Sequence, residues 1–175
     1  MTQIVYKSSS VARVLFGKTN MAFFWFIVRL YVGYVWVLSG WGKVNNPAWT
    51  GDSAGEALKG FVSGALSKTV GEHPDVSMWY AWFLQNIIVP NVGVWSYVIA
   101  FGELLVGVGL ILGAFTGIAA FFGMFMNLNF LLAGAVSINP QFLILALGLV
   151  LAWRIAGWWG VDRYLLPKLG WVQVV

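Results

Sequence analysis

Residues 95–136 read WSYVIAFGELLVGVGLILGAFTGIAAFFGMFMNLNFLLAGAV, and Glu103 is the only charged residue among them. A helix crosses a bilayer with about 20 apolar residues. The stretch therefore holds two spans, 95–114 and 118–136, separated by Phe115, Thr116 and Gly117. So short a connection makes them an antiparallel pair joined by a tight turn. Working outward, Ser137-Ile138-Asn139-Pro140 breaks the pattern, and the proline stands where a helix tolerates it best, at its start. A further span follows over 140–159, and another precedes the pair at 21–41. The expected fold is an all-α membrane protein, a four-transmembrane-helix bundle. Residues 1–20 form an N-terminal tail, 21–160 the membrane domain with an outer loop over 42–94, and 161–175 a C-terminal tail.

Composition agrees. Of 175 residues 60% are hydrophobic and only 9% charged, against roughly a quarter in ordinary globular chains. Such a chain cannot coat a water-facing surface with charge. It contains no cysteine, which excludes disulfides, thiolate metal sites, iron–sulfur clusters and c-type haem attachment. The single histidine, His73, cannot supply bis-histidine haem ligation. No cofactor is expected to be covalently bound, so a redox role needs a diffusible co-substrate or another subunit. The net charge of +4 is dispersed near the ends of apolar segments and does not read as a nucleic-acid surface.

Lysine and arginine in the flanks set the expected orientation. Lys7, Arg13 and Lys18 mark the first tail and Arg163 and Lys168 the second, while the loop balances Lys43, Lys59 and Lys68 against Asp52, Glu56, Glu72 and Asp75. Both termini are expected in the cytoplasm of a multi-pass cell-membrane protein, with the loop outside. The first apolar segment is too long for a signal peptide and lacks a cleavage site. Trp41, Trp49, Trp79, Trp82 and Trp95 fall near one expected interface and Trp158 and Trp159 near the other, as aromatic belts do.

The loop carries its own pattern. Ala54, Ala57, Leu58, Phe61, Val62, Ala65 and Leu66 line one helix face, and Ser53 with Glu56 spells a capping box. A second aromatic segment, 78–89, is too short to span and should end at Pro90. Both are expected as short amphipathic, interfacial helices, either a lid over the bundle or ordinary packing on it.

Three ionisable residues fall inside the spans: Arg29, Glu103 and Arg154. Each costs at least about 2.5–3.5 kcal/mol near the bilayer centre, which makes each a candidate functional residue. Two arginines and one glutamate leave an excess positive charge, and arginine does not shed its proton. An anionic ligand could balance it (thiosulfate, a lipid phosphate or a reduced quinone). Alternatively Glu103 pairs with one arginine while the other snorkels to the interface. Asn127 and Asn129 point to nearly opposite faces of their helix. Asn127 is the expected inward one, sharing a face with Gly123 and Gly134, and serves either interhelical hydrogen bonding or ligand contact.

At these residues the chain resembles the DoxX/DoxD family of four-span membrane proteins. The resemblance is carried by Arg29-x3-Gly33, Ser39-Gly40-Trp41-Gly42-Lys43 with Pro47, and Gly102-Glu103-x3-Gly107-x2-Leu110-x2-Gly113-x2-Thr116. It continues through Asn127-Leu128-Asn129-Phe130 and Ala133-Gly134 to Ala156-Gly157-Trp158-Trp159-Gly160-Val161-Asp162-Arg163-Tyr164, over about residues 24–167. Members related to DoxD are associated with thiosulfate:quinone oxidoreductase, which couples oxidation of thiosulfate to tetrathionate with reduction of quinone. The resemblance implies catalytic roles for Glu103, Arg29 and Arg154 and ligand contacts at Asn127, Gly107 and Lys43. Quinone would be a diffusible co-substrate, thiosulfate or a related anion the donor, and the partners the bilayer and other membrane subunits. The alternative is a non-catalytic accessory subunit of a larger respiratory or photosynthetic complex.

Overall fold

Close backbone contact between two long apolar helices organises the molecule. The computed structural model describes residues 10–172 and is 78% helical, with no strand among the described residues. In chain order the helices are α1 (Ser10–Gly17), α2 (Ala22–Val44), α3 (Pro47–Thr50), α4 (Glu56–Leu66) and α5 (Met78–Phe83). They continue as α6 (Val92–Leu112), α7 (Thr116–Leu132), α8 (Asn139–Leu151), α9 (Trp153–Ala156) and α10 (Asp162–Lys168). Together with their flanking turns, α2 and α6 lie in helical stretches long and apolar enough to cross a membrane, Thr19–Val44 and Met78–Leu112. α7 and α8 are apolar but shorter, at 17 and 13 residues.

α2 and α6 pack backbone against backbone. A Cβ on Gly107 would stand 2.5 Å from the Val37 amide nitrogen, and one on Gly40 would collide with the Leu104 amide. Small residues at a membrane-helix crossing let dispersion contacts and backbones close up where the hydrophobic effect gives little help. Trp25, Trp36, Val106, Leu110, Phe142 and Leu149 fill the core between these helices, α7 and α8.

The connections are capped economically. α6 ends in a Schellman turn at Gly113 (φ 64°), with Gly113 N–H donating to Leu110 O and Ala114 N–H to Gly109 O. α7 ends the same way at Gly134 (φ 72°), where Ala135 N–H reaches Phe130 O. The span expected over 118–136 thus stops at Leu132, and Gly134 is a turn residue rather than a companion of Asn127 on a packing face. The span expected over 140–159 is likewise interrupted at Ala152 and ends at Ala156.

The segment between α2 and α6 folds over one end of the bundle, here the loop end; residues 10–20 and 161–172 share the other, the tail end. Leu58, Val62, Val76, Tyr80, Leu84 and Ala133 form a second core beneath it. Tyr80 Oη donates to Asn129 O at 2.9 Å, Lys68 Nζ to Gly134 O at 2.6 Å, and Ser96 Oγ to Trp49 O at 2.6 Å. The capping box expected at Ser53 and Glu56 does not form. α4 starts at Gly55 in a left-handed conformation (φ 102°), wedged against Val92 and Gly93, and no side chain caps it. Nor does Pro90 end the second segment. The chain passes from α5 through a π-helical turn (Leu84–Ile88) and a 3₁₀ turn (Val89–Asn91) directly into α6. Proline lacks a donor and its ring crowds the preceding turn, and the irregular turns ahead of α6 accommodate both.

Candidate functional site

Glu103 is fully buried on α6, facing the end of α2. Its carboxylate accepts from Lys43 Nζ at 2.6 Å, and that ammonium also donates to Ser39 Oγ at 2.8 Å. Ser39 and Lys43 are one helical turn apart and share a face, while Gly40 lets that face press onto α6 beside Glu103. The indole of Trp49 on α3 lies 5.2 Å from the ammonium. The Lys43 side chain keeps 19% of its surface exposed against 1% for Glu103, so the lysine connects a buried acid with the loop-end surface. One carboxylate oxygen, Oε1, has no partner. A buried, half-satisfied charge costs free energy and is uncommon without a purpose.

Arg29 occupies a second buried network at the tail end. Its guanidinium donates to the carbonyl of Leu110, to Ile111 O at 2.8 Å and to Trp159 O at 3.2 Å, with the Phe26 ring 5.3 Å away. Leu110 O also accepts from Gly113 N–H, while the other two are carbonyls at the end of α6 and in the segment after α9, and a cation there complements the negative end of the α6 dipole. The opposite charge stands across the turn. Asp162 Oδ1 and Oδ2 accept from the Phe115 and Thr116 amides at 2.7 and 2.8 Å, capping α7 at its positive end. Backbone bonds from Val161 to Leu112 O and from Asp162 to Gly113 O fix the alignment. Gly157 and Gly160 make it possible, because a Cβ on the first would strike the Asp162 carboxylate and one on the second would lie 2.7 Å from Leu112 O.

The expected convergence of Arg29, Glu103 and Arg154 is not what the structure shows. Arg29 grips carbonyls seven and eight residues beyond Glu103, roughly 11 Å farther along α6. Arg154 is exposed, lying over the Trp153 ring at 5.0 Å. Glu103 is paired with a lysine, not an arginine. The fully buried charges among the described residues are therefore Arg29, Glu103 and Asp162, with the half-buried Lys43 beside Glu103, and the positive excess inferred from the spans alone disappears.

Of the remaining positions, Asn127 is buried and donates to Asn139 Oδ1 at 2.9 Å, which realises the interhelical reading. Asn129 faces the loop and is held by Tyr80. Gly107 meets the α2 backbone and leaves no room for a ligand there. Sequence reasoning missed Asp162, which reads as a tail charge, and the pairing of Lys43, which reads as a loop charge. The available signal was local: both stand within a turn of an apolar segment, where a charged side chain can fold back into the bundle.

The DoxX family profile matches residues 24–135, which carry Arg29, Lys43, Glu103 and Asn127. The chain belongs to the DoxX family. No curated protein and no solved structure matches it. It is thus a helical DoxX membrane protein whose apolar helices enclose two buried charge networks, one around Glu103 and one between Arg29 and Asp162.

Proposed function

We propose that this DoxX protein is a four-span membrane subunit, both termini cytoplasmic, that passes electrons from thiosulfate or a related sulfur anion to membrane quinone. The observation that carries the reading is the Lys43–Glu103 pair: a buried carboxylate with one free oxygen, 2.6 Å from a lysine that reaches the surface. In the reaction two thiosulfate dianions join through a new S–S bond as tetrathionate and release two electrons. Quinone, as substrate, accepts that electron pair together with two protons. Glu103 is the group suited to delivering them, and Lys43 is suited to recharging it from the loop end and to holding the anionic donor nearby. Arg29 has a different task, since its guanidinium is bound to carbonyls and serves to join α2 to α6 and the C-terminal segment.

General acid catalysis contributes roughly 10²–10⁴-fold. Glu103→Gln should therefore lower thiosulfate-dependent quinone reduction at least about 100-fold in native membranes while leaving a folded protein. Full activity in folded Glu103→Gln would reject the assignment. The absence of cysteine makes the topology directly testable: a cysteine at Ser53 should react with an impermeant thiol reagent added outside intact cells, and one at Lys168 only after lysis.

The accessory reading is favoured by a different observation: Arg29 and Asp162 spend their five hydrogen bonds on backbone groups of the bundle, which is a structural task. It is distinguished by stoichiometric recovery with a larger respiratory or photosynthetic complex and no turnover without it.

A further inference from the structure

An apolar groove opens at the tail end between the start of α7, the end of α8 and α10. Its volume is about 350 Å³, within the usual range for small-molecule sites, and Phe115, Ile118, Phe121, Val150, Trp153 and Trp171 supply most of its wall. Phe115, Ile118, Phe121 and Trp171 are themselves exposed, so the groove opens on the outer surface of the bundle rather than into its core. Thr116 also lines it, and the Thr116 hydroxyl is buried without a partner.

A small depression adjoins the groove and shares Asp162 and Leu166 with it; Arg154 and Arg163 stand on its rim. Both arginines are exposed and neither forms an ion pair among the described residues. Each is steadied by a ring instead, Arg154 over Trp153 at 5.0 Å and Arg163 over Trp158 at 5.2 Å. Trp153 also forms part of the groove wall, so one cation is held at the edge of the apolar slot. The Asp162 carboxylate in the shared wall keeps its charge but makes no ion pair with either arginine, since its oxygens are turned to the Phe115 and Thr116 amides and its charge stands opposite Arg29.

We propose that this is a binding site for one anionic phospholipid, with an acyl chain in the groove and the phosphate between Arg154 and Arg163. The charge pattern selects this occupant. A diacylglycerol or an isoprenoid tail, having no phosphate, would use the apolar wall but not the two arginines, a zwitterionic phospholipid would bring a compensating cation to them, and a free inorganic anion would use the arginines but not the wall. That the lipid belongs to the cytoplasmic leaflet rests on the topology proposed above; the headgroup preference does not.

The full chain, purified in mild detergent, should be titrated with phosphatidylglycerol and with phosphatidylcholine of the same acyl length and read by native mass spectrometry. Phosphatidylglycerol should be retained at least tenfold more strongly. Arg154→Gln with Arg163→Gln should lose about 25-fold in phosphatidylglycerol affinity, which is about 2 kcal/mol at 1.4 kcal/mol per tenfold. The double variant should lose less affinity for phosphatidylcholine, whose trimethylammonium already offsets the same phosphate. Both side chains are exposed, so these variants should fold. Val150→Trp, which fills the groove from its wall, should weaken both lipids. Equal retention of the two lipids, retention unchanged by the double arginine variant, or displacement of the lipid by inorganic phosphate would each overturn the proposal. None of these results depends on whether the chain turns over thiosulfate, so the two readings fail separately.

Discussion

Replacing Lys43 by methionine and Glu103 by leucine, singly and together, probes the buried pair most sharply. The two single losses are unequal because the partners are unequally buried, at 19% and 1% side-chain exposure. Lys43→Met strands a carboxylate that already has one unsatisfied oxygen, and stranding a buried charge costs about 3–5 kcal/mol. Glu103→Leu strands an ammonium that still has Ser39 and Trp49 beside it and can extend toward the surface, so its cost should be nearer about 1–2 kcal/mol. The double variant leaves no charge behind, and replacing both members of a buried pair by apolar residues is often neutral or stabilising. At about 2–4 °C per kcal/mol for a chain of this size, Lys43→Met should lower the unfolding midpoint in detergent by about 6–20 °C and Glu103→Leu by about 2–8 °C. The double variant should melt above Lys43→Met, within a few degrees of the parent. If the two single losses simply add, Lys43 and Glu103 are not a coupled buried pair in the membrane protein, and the proton route proposed through them goes with it.

Three further outcomes follow from the packing and the charges. Asp162→Ala removes the acceptor for the Phe115 and Thr116 amides and leaves Arg29 without its opposite charge; it should cost about 2–3 kcal/mol in detergent unfolding, with Asp162→Asn intermediate because one oxygen remains. Gly107→Val forces α2 and α6 apart and should abolish monodisperse recovery by gel filtration, whereas Gly42→Ala, with open space around its Cα, should be neutral or gain up to about 1 kcal/mol from helix propensity. Lys43→Gln should raise KM for the sulfur anion in a quinone-reduction assay, and Arg154→Gln should leave that KM unchanged, because Arg154 sits at the opposite end of the bundle.

What was legible in the sequence was whatever depends on composition along one helix. The apolar runs of α2 and α6 and the tight connection after α6 follow directly from hydropathy. Interhelical hydrogen bonding by Asn127 was readable because a polar residue in an apolar run must find a partner. The helix ends were less legible. Gly134 looked like a packing residue in a linear reading, yet it closes α7 with a left-handed turn. The capping box at Ser53 failed because the approach of α4 to Val92 and Gly93 demanded Gly55 there, a tertiary constraint that outweighs a local motif. The pairing of Lys43 with Glu103 crosses 60 residues and depends on how α2 and α6 align, which a one-dimensional reading does not contain.

The corrected charge distribution changes where chemistry can occur in this chain. A reading confined to the spans saw two arginines and one acid and looked for an anion in the core. With Asp162 added and Lys43 set beside Glu103, the buried charges leave no positive excess, so the core holds no vacancy for an anion. Unpaired positive charge is left at the surface of the tail end, on Arg154 and Arg163, while Glu103, the one buried acid with a free oxygen among the described residues, lies toward the loop end. Nine residues of α6 separate Glu103 from the end of that helix, roughly 14 Å. A small sulfur anion cannot span that distance, and a chain without cysteine and with one histidine offers no iron–sulfur or c-type haem relay across it. In the proposed reaction, donor and quinone therefore meet at Lys43 and Glu103 or exchange electrons through another subunit. The tail-end arginines then belong to the membrane surface rather than to the reaction.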